Sequence, residues 1–505
     1  MSRIRTVLIY AIAAACFSAL ASQPLRAQSS PEQITIDAHA AGKPFPHFWE
    51  EMFGSGRANL VMRKSYQDDI DLVKKVTDFR YVRFHAIFDD ENGVYSEDTH
   101  GNPVYNWTYI DHIYDALLDH GIRPYVEISF MPKALALRPN DNQGFWYKPN
   151  PSPPKNYAKW DALITAFAQH LIQRYGIEEV SQWYFEVWNE PNLGFWSGQP
   201  SQSSYFELYD HTARALKSVS PRLRVGGPST AQAAWVPDMI AHAVQNHVPL
   251  DFVSTHVYGD DTSKDVFHDN RPVPPHQMVC LAVDKVHQEI KKSARPNIPL
   301  IWSEFNASYA NHQDITDSIY MGPWLADTIS NCDGKVDMMS YWTFSDVFEE
   351  QGVKKTPFYG GFGIVAENSI PKPAYDAFAI LHELGSERLP APVNEALVTR
   401  RKDGTIVIAA WNLVEPHTAG ADKTVTFDLQ NFPRHTRAVI RRVDASHGDT
   451  LAAWKQMGSP KYPTRAQIES LRQASEIGPP QTESIRSHQL TLTVPPMGLA
   501  VIELR

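Results

Sequence analysis

WYFEVWNEPNLGFW (183–196) runs through an apolar strand pattern and stops at a carboxylate, Glu190, with a proline directly after it. IPLIWSEFNASY (298–309) does the same and stops at Glu304. Either the two glutamates cap their strands, or they form a pair that meets in space. Working outward, six further runs share this short apolar character: HFWEEMFG (47–54), YVRFHAIF (81–88), PYVEISF (124–130), RVGG (224–227), FVSTHVY (252–258) and MMSYWTF (338–344). Longer segments of helical period lie between the runs. In WTYIDHIYDALLDHG, Ile110, Ile113, Leu117 and Leu118 recur at helical spacing, and Gly121 can take the left-handed cap after the last turn.

Strands that are apolar on both faces and separated by helices predict a parallel sheet. Eight such units within residues 44–388 predict a closed (β/α)8 TIM barrel, a fold of about 250 residues plus insertions. An open doubly wound sheet is the alternative. GSG (54–56) and GG (226–227) lack the spacing and following helix of a phosphate-binding loop, which disfavours it. After residue 388 the pattern changes. TIVIAAWNL, KTVTFDLQN, TRAVIRRVDA and LTLTVPPMGLAVIELR predict an accessory antiparallel β-sandwich over 389–505, with TRAQIESLRQ (464–473) as its one helical run. QITIDA (33–38), in an N-terminal segment spanning 28–43, is a candidate extra strand for that sandwich. With almost no linker between the two parts, the sandwich reads as a packing domain rather than a glycan-binding module.

A chain of 505 residues with 43% apolar and 21% charged residues can bury a large core. Its net charge of -10 argues against nucleic acid or an anionic bilayer as the main partner. Thirteen Trp and 21 Tyr, many beside Asn, Asp and Gly, suit a groove that stacks on flat, hydroxylated ligands. Residues 1–27 have Arg3 and Arg5, an apolar run and then small residues, which predicts a secretory signal peptide cleaved near Ala21 or Ala27. The apolar run from Val7 to Ala21 falls short of the roughly 20 residues that span hydrocarbon, so a membrane anchor, or a lipoprotein at Cys16, is the lesser reading. The expectation is export, to the periplasm or beyond the cell, with no stable membrane insertion. Cys280 and Cys332 would then form one disulfide or remain two buried thiols. Scattered histidines give no structural zinc pattern.

In such a barrel Glu190 and Glu304 stand at the C-terminal ends of strands four and seven, which face one another across the mouth. Carboxyl groups about 5–5.5 Å apart suit a double displacement, in which one attacks the anomeric carbon and the other protonates the departing oxygen. Asn189 is placed to bond the sugar hydroxyl beside that carbon. Glu190 reads as the acid, its pKa raised by an apolar wall of Phe185, Trp188 and Trp196 and by the second carboxylate. Glu304 reads as the nucleophile, kept ionised by donors such as His256 and Tyr258. Trp342 is a candidate platform under the sugar ring, and Glu349 or Glu350 a hydroxyl-binding carboxylate. Two carboxylates and water complete such a cycle, so no metal or organic cofactor is expected.

WNEPN, HVYG, WSEFNASY, YWTFSDVFEE and FYGGFG, with FWEEMFGSG and YVRFHAIFDD near the start, resemble glycoside hydrolase family 39 over roughly residues 35–505. The resemblance implies a (β/α)8 barrel with a joined β-sandwich and hydrolysis with retention of anomeric configuration. It also implies Glu190 as acid/base, Glu304 as nucleophile, and His85, Asn189, His256, Tyr258 and Glu350 around the nonreducing-end sugar. The family includes β-xylosidases and α-L-iduronidases. An iduronidase needs cations near the sugar's exocyclic carbon, for which Lys354, Lys355 and Arg57 are the nearest in sequence. HAIFDD departs from the HGLLSDD of xylosidases at Ala86 and at Phe88-Asp89, which points to altered bulk or charge near the second strand. The insertion from Met131 to Pro154 reads as a leaving-group wall or as a contact between copies in a homo-oligomer. The leading expectation is an exported exo-acting β-xylosidase that trims xylo-oligosaccharides. A family relative acting on a β-glucoside, β-galactoside, α-L-arabinoside or α-L-iduronide, or a noncatalytic glycan-binding protein, stands behind it.

Overall fold

A computed structural model describes residues 32–391, 395–485 and 487–505; the expected signal peptide lies outside these residues. Eight strands close into a barrel: β1 (Met52–Arg57), β2 (Tyr81–His85), β3 (Arg123–Ile128), β4 (Tyr184–Val187), β5 (Arg224–Thr230), β6 (Phe252–Tyr258), β7 (Leu300–Asn306) and β8 (Met338–Tyr341). Each pairs in parallel with its neighbours in sequence, and β8 closes on β1. The candidate strands of the sequence correspond to these eight, with shifted ends. HFWEEMFG begins five residues early because His47 to Glu51 form the turn that enters the barrel floor.

Side chains alternate between the barrel interior and the surrounding helices. Met52, Tyr125, Phe252, Ile301 and Met338 make an apolar plug at the floor. One step higher the interior is polar, with Arg83, Glu127, Glu186, Ser254, Ser303 and Ser340 all buried. Outward-facing Val82, Phe84, Val126, Phe185 and Val225 pack into one large core with the helices.

The C-terminal part forms two sheets. Glu32–Asp37 lies beside Lys423–Gln430, which pairs with Gln489–Val494; the seven-stranded partner sheet is centred on Ile406–Asn412, Gly498–Leu504 and Arg437–Val443. QITIDA therefore joins the sandwich, but its pairing with Lys423–Gln430 is parallel, so the sandwich is not wholly antiparallel. A second helix, Thr450–Gln456, joins Arg465–Ala474, where the sequence reading had only one. Its apolar face is just Leu451 and Trp454, too short a stripe to show a helical period, and it takes its partners from Phe358 and Ile370 of the barrel. The outer face of the larger sheet meets barrel helix Met321–Cys332. Trp324, Leu325, Trp411 and Leu499 belong to one continuous core, and a Cβ on Gly322 would sit 3.3 Å from Leu499 Cβ.

Cys280, in helix Pro275–Lys292, is disulfide-bonded to Cys332 at the end of Met321–Cys332. Among the described residues no helix is long and apolar enough to cross a membrane.

Candidate active site

The site is organised from below by Arg83, a residue the sequence reading passed over. Its guanidinium lies fully buried on β2 and reaches Glu186 on β4 at 2.6 Å, Glu127 on β3 at 2.8 Å and Glu304 on β7 at 2.6 Å. It also donates to Asn189 Oδ1 at 2.9 Å and to Ser229 Oγ at 3.1 Å. One cation thus pins the carboxylate of Glu304, and fixes the Asn189 amide so that its NH₂ group is free of Arg83. Buried charges persist only when paired. The signal was present in the sequence: YVRFH, YVEIS and YFEVW each put one charge at the centre of an apolar strand.

Above this layer a cavity of about 390 Å³ opens at the C-terminal ends of the strands. His85, Asn189, Glu190, His256, Tyr258, Glu304, Trp342 and Glu350 all line it. Glu190, His256 and Glu304 converge, one ligand-type atom from each lying within 4.8 Å of the others. That spacing suits the short carboxylate separation of retaining glycosidases and not the roughly 6.5–9.5 Å of inverting ones. It could also hold a metal. Arg83 and the Tyr258 hydroxyl already occupy the two Glu304 oxygens, however, so the donor set fits proton chemistry better.

The two carboxylates differ in environment. Burial, reinforced by the charge of Glu304, pushes Glu190 well above the usual carboxylate range. Burial also raises Glu304, but Arg83, His85 and the Tyr258 hydroxyl at 2.5 Å pull it back toward the ionised form. Of the two, Glu190 is held more strongly toward its protonated form. Burial alone would depress His85, yet Glu127 at 2.6 Å and Glu350 at 3.3 Å outweigh it and lift its pKa to about 10. His256 is driven well below its ordinary value by burial, Arg83 and His85, so its ring is neutral. The Trp342 ring lies 4.9 Å from that of His85 and packs edge-on to Phe348.

Three expectations need correction. Glu349 does not line the cavity: its carboxylate is held by Arg57 and Arg63, at 3.0 and 2.5 Å. Glu349 has left-handed backbone (φ 66°), and of the two only Glu350 lines the cavity. The wall beside Glu190 is made by Leu193 and Phe195, with Phe145 from the Met131–Pro154 insertion, whereas Phe185, Trp188 and Trp196 pack behind it. Finally, His256 lies nearer Glu190 (3.0 Å) than Glu304 (3.6 Å), and its Nε2 faces Ser303 Oγ at 3.1 Å.

The family model described as Glycosyl hydrolases family 39 matches residues 32–492. This chain belongs to glycosyl hydrolase family 39. It is thereby a retaining glycoside hydrolase whose substrate is a glycoside or oligosaccharide. A β-xylosidase of Geobacillus stearothermophilus is 42% identical over 85% of this chain and 86% of its own length. A β-xylosidase of Caldicellulosiruptor saccharolyticus is 34% identical over 88% and 92%. The crystal structure of a monomeric β-xylosidase from Caulobacter crescentus superposes with a TM-score of 0.85 at 36% identity, covering 94% of this chain and 99% of that one.

Proposed function

We propose that this family 39 enzyme is an exported, exo-acting β-xylosidase that releases xylose from the nonreducing ends of xylo-oligosaccharides. Glu304 attacks the anomeric carbon while Glu190 gives its proton to the departing oxygen, and the glycosidic C–O bond breaks. The glycosyl ester on Glu304 is then cleaved by water, whose proton returns to Glu190 as the sugar leaves. Asn189, oriented by Arg83, offers its NH₂ group to the hydroxyl next to the anomeric carbon. His85 and Glu350 take the more distant hydroxyls over Trp342.

The observation that carries the glycone assignment is the charge of the cavity wall. Among the described residues no Lys or Arg lines it, while Glu190, Asp261, Glu304 and Glu350 do. A uronate carboxylate would therefore meet a surplus of carboxyl groups, and His85, the cation in that lining, is already paired with Glu127 and Glu350. Of the three cations considered from the sequence, Arg57 is engaged by Glu91 and Glu349, Lys354 lies over the Tyr359 ring, and Lys355 does not line the cavity. The departures at Ala86, Phe88 and Asp89 also stay out of the cavity, since Phe88 packs against Trp160 and Phe167 in the core. Both observations support a neutral glycone, and the two β-xylosidase relatives favour xylose among neutral sugars. The disulfide is compatible with an oxidising compartment, which supports export.

Purified protein assayed against aryl β-xyloside, β-glucoside, β-galactoside, α-L-arabinoside and α-L-iduronide tests the reading. Turnover greatest on the β-xyloside, and abolished in Glu304→Ala, is the expected result. Preference for the iduronide would overturn it.

A further inference from the structure

The cavity has a direction. His85 and Trp342 at its floor are 2% and 3% exposed, whereas Leu193 and Tyr309 are 39% and 57% exposed. Leu193 donates its backbone N–H to the Glu190 carbonyl at 2.9 Å, so the Glu190 loop carries the open end. An exo-acting enzyme places the terminal sugar in the blind end, and its acid stands at the bond that breaks. Whatever lies on the open side of Glu190 therefore faces the leaving group.

That open side has a built polar corner that the hydrolytic cycle does not use. Gln232 follows β5 and Asp261 follows β6, and both line the cavity among Leu193, Phe195 and Tyr309. The Asn192 side chain exchanges two hydrogen bonds with Ala231, 3.0 and 2.9 Å, tying the Glu190 loop to the residue before Gln232. Gln232, Ala233 and Trp235 have φ of 61°, 52° and 61°. Left-handed backbone is uncommon outside glycine and persists where surrounding contacts enforce it, often at ligand clamps. Lys285 Nζ supplies one such contact, donating to the Ala233 carbonyl at 3.0 Å. Asp261 Oδ2 accepts the Tyr258 backbone N–H at 2.8 Å.

We propose that Gln232 and Asp261 form a leaving-group subsite that selects a hydroxylated sugar over an apolar alcohol. The inference rests on the exo-β-xylosidase reading for the identity of the glycone. A sugar in this corner brings hydroxyls to the amide and the carboxylate while laying its C–H faces on Leu193, Phe195 and Tyr309. An alkyl or aryl group makes only the apolar contacts and forgoes the hydrogen bonds that a sugar would make to this half-buried pair, which costs discrimination.

The test compares kcat/KM for xylobiose with that for an alkyl β-xyloside, whose leaving group needs the acid but carries no further hydroxyls. Phenyl β-xyloside is measured alongside. In Gln232→Ala and in Asp261→Ala the xylobiose-to-alkyl ratio should fall about tenfold or more, the effect of losing a hydrogen bond to a buried or charged partner. A ratio within twofold of the parent in both variants overturns the proposal. So does a uniform loss on all three substrates in Asp261→Ala with no change of ratio in Gln232→Ala, which would assign Asp261 to holding Tyr258. A parent enzyme inactive on every xyloside refutes the glycone reading alone. The same ratio is then measured with the disaccharide and alkyl glycoside of the sugar it does accept.

Discussion

At the residue scale, Arg83 sets the electrostatics of the site. Arg83, Glu127 and Glu186 are fully buried and Glu304 nearly so, so losing the one shared cation strands three carboxylates. Arg83→Met should lower stability by about 3–5 kcal/mol, read as a shift of the urea midpoint, because it leaves Glu127, Glu186 and Glu304 without their shared cation. Glu190→Ala should cost about 10²–10⁴-fold on xylobiose and far less on a dinitrophenyl xyloside, whose leaving group departs without a proton. The pH dependence follows from the same contrast. In the proposed mechanism, activity requires Glu190 protonated and Glu304 ionised. Raising the pH through the elevated Glu190 value strips the acid, and lowering it through the Glu304 value protonates the nucleophile. kcat/KM for xylobiose plotted against pH should be bell-shaped, with the basic limb missing for the dinitrophenyl xyloside.

At the scale of the element, the glycines of the recognisable motifs serve side chains from other strands. FGSG in β1 is no phosphate loop. A Cβ on Gly54 would lie 2.1 Å from Trp342 Cε3, and one on Gly56 would lie 2.4 Å from the Phe348 carbonyl oxygen. β1 is bare, so the loop after β8 can lie against it with Trp342 facing the cavity. FYGGFG works similarly: Lys372 is buried between Asp317 at 2.7 Å and Asp346 at 2.6 Å, and a Cβ on Gly361 would lie 2.3 Å from Asp346 Oδ1. Gly54→Ala should displace the Trp342 ring at a cost of about 1–3 kcal/mol in thermal unfolding, with a loss of kcat/KM of about tenfold or more. Unchanged kinetics would show that the ring can yield without losing its role.

At the scale of the whole molecule, the barrel and sandwich are one body. Trp324 and Leu325 of the barrel share a core with Trp411, Leu499 and Val501, and Glu32–Asp37, which precedes the barrel in sequence, lies in the sandwich. A fragment ending at residue 388 should therefore expose this face and fail to unfold cooperatively in calorimetry. The disulfide joins helices 52 residues apart in sequence. Cys280→Ser with Cys332→Ser should remove about 3–4.7 kcal/mol by the loop-closure account, seen as a fall in Tm. An unchanged Tm would assign the stability of that helix pair to packing alone.

Much of this was legible in the chain. Eight two-faced apolar runs divided by helical periods predict a parallel sheet, and closure into a barrel leaves that sheet no edge strand. The carboxylates at the ends of strands four and seven follow from that closure, since strand order fixes which ends face one another. Pattern, however, is a local property, and the rest depends on contacts between residues far apart in sequence. Only the folded chain decided that Arg83 holds Glu304 and that Glu350 rather than Glu349 faces the cavity. It also decided that Cys280 meets Cys332, and that the open side of the cavity has a polar corner. Each of these is set by which side chains meet once the strands are closed, and no spacing along the sequence encodes that meeting.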